Sequence, residues 1–241
     1  MNNMAKTCFI AAFAAALVSF APASQDDAIR NWEAGKTVSS LTLRKYDVGK
    51  LFSSEPIPDR VFSRMQGKSY KAGCTVRRED LRYVKVLHWN GEGKICLGEL
   101  VCHKSVADDM VEIFRELFNA KYPIERMVLI DDYDANDVKS MDANNTSCFN
   151  FRHVAGTNVP SNHSYGKAID INPLYNPYVK KKADGTLIVS PKTGKQYVDR
   201  SKRFKYKIDK SDLCYKLFLK HGFTWGGLWK RTKDYQHFEK K

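Results

Sequence analysis

The sequence predicts an α+β fold, a small antiparallel sheet with helices packed on it. Three observations carry the prediction. Two strand-like runs, residues 83–89 and 95–102, flank the turn Asn90-Gly91-Glu92-Gly93 and form a hairpin. A helical stretch follows at once, with Val106, Met110, Ile113, Phe114, Leu117 and Phe118 on one face. No internal repeat points to a solenoid or propeller instead. A chain of 241 residues fits one domain, or at most two small ones. It can bury roughly 70% of its unfolded surface, so it needs no disulfides merely to fold.

Residues 24–75 are polar and irregular in pattern, with Glu55-Pro56-Ile57-Pro58-Asp59 as a loop signal, and read as an N-terminal extension wrapping the domain. After the hairpin, Ser105 is the expected N-cap of the first long helix, with Asp108 as its capping-box acid. That helix ends near Tyr122-Pro123. Residues 127–130 are a short buried strand, followed by Asp131-Asp132. A second helix runs from an N-cap at Ser211 through Leu213, Leu217 and Phe218 to a stop at Gly222. The division expected is 1–23, 24–75 and 76–241.

Residues 1–23 read as a secretory leader: Lys6, an apolar run from Cys8 to Phe20, then Ala21-Pro22-Ala23. The run is shorter than the roughly 20 apolar residues of a spanning helix, and Asp26 and Asp27 follow it, so no stable membrane anchor is expected after cleavage. The expected location is exported, periplasmic or secreted. Five cysteines remain, Cys74, Cys96, Cys102, Cys148 and Cys214, and an odd count leaves at least one thiol over. Cys96 and Cys102, on one strand, would be about 20 Å apart and unable to bond. Buried single thiols are as good a reading as any bridge.

Charge and composition exclude other classes. With 43% hydrophobic and 12% aromatic residues the chain is not disordered, and 14 Gly and 8 Pro are ordinary counts. Lys+Arg at 40 against Asp+Glu at 27 gives +13, or +12 once the leader takes Lys6 away. Such a surplus suits an anionic partner. Export and the lack of a recognition motif disfavour nucleic acid; a membrane surface or an acidic polymer stays open, and only together with the two motifs below does the surplus turn toward anionic envelope polymers.

The chemistry-bearing residues fall in two places. His163-Ser164-Tyr165-Gly166-Lys167-Ala168-Ile169-Asp170 suggests a turn running into a buried strand that ends in a carboxylate. Such an end is costly unless the carboxylate is paired or bound to metal. Asp234-Tyr235-Gln236-His237-Phe238-Glu239 lies near the C-terminus. A catalytic zinc wants three N/O ligands and an open position, which His163, Asp170 and His237 would supply. Asp234, three residues before His237, can stand near as a base without ligating. By spacing alone, a structural pair of histidines remains the alternative.

The run Ser161-Asn162-His163-Ser164-Tyr165-Gly166-Lys167-Ala168-Ile169-Asp170 resembles the signature Ser-x-His-x-x-Gly-x-Ala-x-Asp of a bacterial zinc peptidase family. Its members are D-alanyl-D-alanine carboxypeptidases and dipeptidases and L-alanyl-D-glutamate endopeptidases. The family's downstream acid, two residues and His are matched by Asp234 and His237. Flanks around Asn144 to Arg152, Asn176-Pro177-Tyr178 and Gly222 to Trp229 are similar to the endopeptidase-like branch. The resemblance covers roughly residues 80–240. It implies one Zn2+ held by His163, Asp170 and His237, with Asp234 as catalytic carboxylate. It also implies Arg152 at the substrate and the developing oxyanion, and Ser161 near the substrate. Asp rather than Glu at 234 favours the endopeptidase branch. The implied substrate is the peptidoglycan stem peptide. The alternatives are a D-alanyl-D-alanine carboxypeptidase and a non-catalytic wall-binding module.

The remaining candidates have plainer readings. His88 reads as packing or surface, His103 as a strand end, His153 as structural and His221 as a helix C-terminal cation. Trp225 and Trp229 are cleft or core. Glu239 is either a surface acid or an orienting partner of His237.

Overall fold

A computed structural model describes residues 24–154 and 156–241. The leader expected over residues 1–23 lies outside the described residues. In chain order the elements are α1 (Gln25–Asn31), β1 (Thr37–Val38), α2 (Ser40–Leu43), β2 (Ser53–Pro56), α3 (Asp59–Met65), β3 (Leu81–Trp89), β4 (Ile95–His103) and α4 (Lys104–Asn119). Then come α5 (Asp137–Asp142), β5 (Ala168–Asp170), β6 (Tyr178–Lys181), β7 (Leu187–Ser190), α6 (Leu213–Lys220), β8 (Thr224–Trp225), β9 (Thr232–Asp234) and β10 (His237–Glu239). The α+β class holds, with three small antiparallel sheets ordered β1-β4-β3-β2, β5-β10-β8 and β7-β6-β9.

The hairpin β3–β4 is the centre of the fold, paired from Leu81↔His103 to Trp89↔Ile95. Every residue of β4 except His103 is buried, so its pattern does not alternate. One cause is α4, which packs on the hairpin through Val106, Met110, Ile113, Phe114 and Leu117. The other is the segment before residue 66. Its polar pattern hides ordered elements: β1 pairs with β4, β2 with β3, and the Trp32 indole donates to the Gly98 carbonyl at 2.9 Å. Short strands and single anchoring residues such as Ile29 and Trp32 leave no periodicity to read.

Three local expectations are corrected. The N-cap of α4 is His103, not Ser105, because the His103 Nδ1 accepts the Ser105 N–H at 3.1 Å and starts the helix at Lys104. The N-cap of α6 is Asp212, whose carboxylate takes the Cys214 N–H at 2.9 Å, while Ser211 closes a turn on Asp209. Residues 127–130 are buried and extended but form no strand. The Met127 carbonyl accepts the Glu99 N–H at 3.0 Å and the Leu129 N–H reaches the Glu99 carboxylate at 3.4 Å, before a 3-10 turn over Ile130–Tyr133. The five cysteines are free thiols, and all but Cys74 are buried.

A buried acid ties the N-terminal segment to the sheet. Glu99 on β4 is 1% exposed. It accepts a fork from Arg64 of α3 at 3.0 and 2.6 Å and the Tyr83 hydroxyl at 2.6 Å. Arg64 also reaches Asp132 at 2.9 Å, and Asp131 accepts the Ser69 N–H at 3.0 Å. A buried carboxylate stripped of its cation is strongly destabilising. Arg64→Met is therefore expected to lose about 3 kcal/mol in urea unfolding. Arg30→Met, at an exposed 4.0 Å pair with Asp27, should stay within about 0.5 kcal/mol. Equal effects of the two substitutions would contradict this account.

His88 supplies a second, pH-dependent test. Its Nδ1 donates to the Ile124 carbonyl at 2.7 Å, and its Nε2 is buried without a partner. Burial lowers its pKa from 6.5 to about 4. The unfolded chain takes up the proton as pH falls below 6.5, while the folded chain resists until about 4. The stability His88 contributes is thus complete at neutral pH and lost as pH falls through that window. Relative to His88→Gln, the parent should lose about 2 to 3 kcal/mol between pH 7.5 and 4.5. A difference that does not change with pH counts against it.

Candidate active site

The site is built where two sheets adjoin. The short 3-10 turn Asn162–Tyr165 carries His163 and leads into β5, which ends in Asp170. Ser161 caps this turn: its Oγ accepts the His163 N–H at 3.3 Å, and its own N–H donates to the Arg152 carbonyl at 3.0 Å. Gly166 closes the turn with φ +66°, and a Cβ there would lie 2.7 Å from the backbone nitrogen of His103. That glycine therefore lets the turn dock on the end of β4, where the His103 N–H donates to the Gly166 carbonyl at 2.8 Å.

β10 runs antiparallel to β5 with His237 directly opposite Asp170. The two motifs meet through this register. His163 Nε2 lies 3.2 Å from His237 Nδ1 and 3.3 Å from Asp170 Oδ2, and His237 Nδ1 lies 3.1 Å from Asp170 Oδ1.

The hydrogen bonds behind the rings assign their protons. His163 Nδ1 faces the Cys148 carbonyl at 2.7 Å, which can only accept, so the proton sits there and Nε2 presents a bare lone pair. His237 Nε2 faces the Glu239 carboxylate at 3.1 Å, so it donates there and Nδ1 is turned to the centre. Two imidazole lone pairs and a carboxylate thus point at one another, which is repulsive unless a cation lies among them. A tetrahedron with bonds of about 2.0–2.1 Å has edges of roughly 3.3–3.4 Å, close to the spacings found here. The donor set and its outer partners fit a zinc ion.

Electrostatics agree. Burial works against charge on Asp170, yet His163 and His237 hold its carboxyl well below the usual range. Burial likewise opposes a proton on His237, but Asp170 and then Glu239 lift its pKa well above that of free imidazole. The pocket favours positive charge at this point.

Asp234 stands on the neighbouring sheet. The chain leaves β9 at Asp234, crosses two residues and enters β10 at His237, so the acid and the histidine belong to different sheets. This is why a three-residue spacing places Asp234 beside the cluster and not within it. Burial first, then the Asp170 charge, raise its pKa above the ordinary carboxyl range, and its Oδ1 is buried without a partner. Gly226 makes the approach possible: a Cβ there would lie 2.7 Å from the Asp234 carbonyl oxygen and 3.3 Å from the His237 Cβ. The Trp229 ring packs 5.3 Å from the His237 ring, whereas Trp225 is buried core.

Arg152 is placed differently from the other five expected residues. Its guanidinium pairs with Asp137 of α5, and among the described residues it makes no ion pair with Asp170 or Asp234. Its backbone is fixed to the turn, with its N–H donating to Ser164 Oγ at 2.9 Å.

Two partners had weak or no sequence signal. Glu239 orients His237 and is itself held by the Asn162 amide, and the Cys148 carbonyl orients His163. The first was an open alternative, and a backbone carbonyl carries no signature in sequence. On the Glu239 side of His237 lies a cavity of about 390 Å³ lined by His103, Asn162, Tyr165, Lys167 and Lys240.

Two imidazoles and a carboxylate around one centre could hold a single metal ion. The comparison with protein families is narrower. Residues 155–240, a little over a third of the chain, match the family described as D-alanyl-D-alanine carboxypeptidase. The match supports the resemblance carried by the motifs. It contains Ser161, His163, Asp170, Asp234 and His237, and begins after Arg152. No curated protein and no solved structure matches the chain.

Glu239→Gln tests the outer partner. The variant should bind zinc roughly 10- to 100-fold more weakly in a chelator competition, because the amide is a poorer acceptor for the His237 N–H. Unchanged affinity would mean that Glu239 does not tune the cluster.

Proposed function

We propose that the protein is a zinc-dependent peptidase that hydrolyses peptidoglycan stem peptides, of the L-alanyl-D-glutamate endopeptidase type. The observation that carries the proposal is the convergence of the His163, Asp170 and His237 lone pairs, with Asp234 alongside and its Oδ1 buried without a partner. Zinc held by those three side chains would supply Lewis acidity toward the scissile carbonyl and lower the pKa of water.

The chain's own groups do the rest. Asp234 takes a proton from the attacking water and delivers it to the leaving amine, a task suited to a carboxylate whose pKa is raised toward neutrality. Glu239 and the Cys148 carbonyl keep both imidazoles in the ligating tautomer. Arg152 binds the substrate and shares the developing oxyanion charge, with its guanidinium paired to Asp137. Ser161 acts through the turn it caps, holding His163 in place.

The aspartate at 234 favours the endopeptidase reading. A second reading, cleavage of D-alanyl-D-alanine, is favoured by the description of the matching family. The family also supports peptidoglycan as the substrate, and the leader-like residues 1–23 support an exported, periplasmic or secreted enzyme. No helix among the described residues is long and apolar enough to cross a membrane.

Digestion of purified peptidoglycan, with and without chelator and read by mass spectrometry, distinguishes these. Chelator-sensitive release at L-Ala–D-Glu is expected, loss of terminal D-Ala alone would select the carboxypeptidase, and no chelator-sensitive cleavage would leave a binding module. Asp234→Asn and Arg152→Ala should each lower kcat by about 10²-fold or more while keeping bound zinc. Full turnover in either variant would remove that residue from the mechanism.

A further inference from the structure

The sheet β7-β6-β9 carries Asp234 at one end and an exposed, basic hairpin at the other. Its register orders one face. Tyr178 of β6 pairs with Asp234 and with Ser190, and two residues further along Lys180 pairs with Thr232 and Ile188. Cross-strand partners and residues two apart share a face, so Asp234 and Lys180 lie on the same side of the sheet. The two rows are about 7 Å apart along the strand.

Lys180 is exposed and its neighbours in the row, Thr232 and Ile188, are uncharged. The ion pairs formed by residues 178–210 are Lys202–Asp199 and Lys207–Asp209, and Lys180 takes part in neither. Tyr178 neighbours both, opposite Asp234 across the strands and two residues from Lys180 along β6. A cation is thus held one row from the candidate base, on its face, without an internal partner.

We propose that Lys180 forms a subsite for a free carboxylate on the α-carbon of the residue whose amine is expelled. This rests on the peptidase reading, in which Asp234 delivers the proton to that amine. The leaving residue must then lie against Asp234, and its α-carboxyl carbon is only two bonds, about 2.5 Å, from that amine, well within the distance to the next row. Both candidate bonds present such a carboxylate. In L-Ala–D-Glu the chain continues through the γ-carboxyl and leaves the α-carboxylate free, and in D-Ala–D-Ala it is the chain terminus. Recognition by Lys180 therefore applies whichever bond is cleaved, and it would reject ordinary α-linked peptides, whose leaving residue has an amide there.

The test uses the zinc-loaded protein and two synthetic stem peptides, one with this carboxylate free and one with it amidated. In the parent, kcat/KM should favour the free acid. In Lys180→Met the ratio of the two kcat/KM values should fall about tenfold, mainly through KM of the free acid. Lys180→Glu should invert the preference, and Lys180→Arg should keep most of it. Using the ratio removes any loss of folded protein. A ratio unchanged in Lys180→Met overturns the subsite and leaves the peptidase reading intact. A parent that cleaves neither peptide overturns the peptidase reading and the subsite with it.

Discussion

The pairing of β10 with β5 is the constraint on which the site depends. It sets His237 opposite Asp170, and no local interaction could do so across 67 residues of chain. A slip of one residue would turn His237 to the opposite face of the sheet and separate the lone pairs. The register is held by burial on both sides. Phe238 and Ile169 are fully buried, Phe238 stacks on Phe218 of α6 at 4.5 Å, and Trp225 of β8 lies on the far edge. The His163, Asp170 and His237 cluster is thus an outcome of ordinary core packing one residue away.

The same economy explains the glycines of the motifs. Gly166 lets the His163 turn touch the backbone at the end of β4, and Gly226 lets the chain before β9 pass between Asp234 and His237. Each removes a Cβ where backbone atoms come within about 3 Å. The central hairpin therefore supports the site directly: β4 receives the turn, and its carbonyl at Val101 accepts the Phe149 N–H beside Cys148. Residues 24–75 support it at one remove, by neutralising Glu99 on that strand through Arg64.

The donor arrangement also separates roles that composition cannot. His163, His237 and Asp170 turn inward, Glu239 and the Cys148 carbonyl hold the rings from outside, and Asp234 approaches from another sheet. Five histidines and acids of similar type elsewhere serve the fold: His103 caps α4, His221 meets Asp109 at 3.0 Å, His88 is packed in the core, and Asp212 and Glu99 anchor helices.

The hairpin, the α4 and α6 helices and the ligand triad were legible because each has a local signature: alternation bounded by a turn, a 3.6-residue apolar stripe, or a motif of fixed spacing. The helix starts were read two residues late at α4 and one residue early at α6, since His103 and Asp212 cap through ring and carboxylate atoms whose reach depends on the fold. Residues 127–130 looked like a strand because they are apolar and buried, but whether they pair depends on what lies beside them. By itself the sequence determined the class of fold and picked out the His163, Asp170 and His237 that the structure brings together. Tertiary structure alone decided that the N-terminal segment completes the central sheet, that Arg152 is held by Asp137, that Glu239 backs His237, and that Lys180 shares a sheet face with Asp234. Those facts rest on strand register and on carbonyls and carboxylates brought together across the chain, and distances of that kind have no trace in residue order.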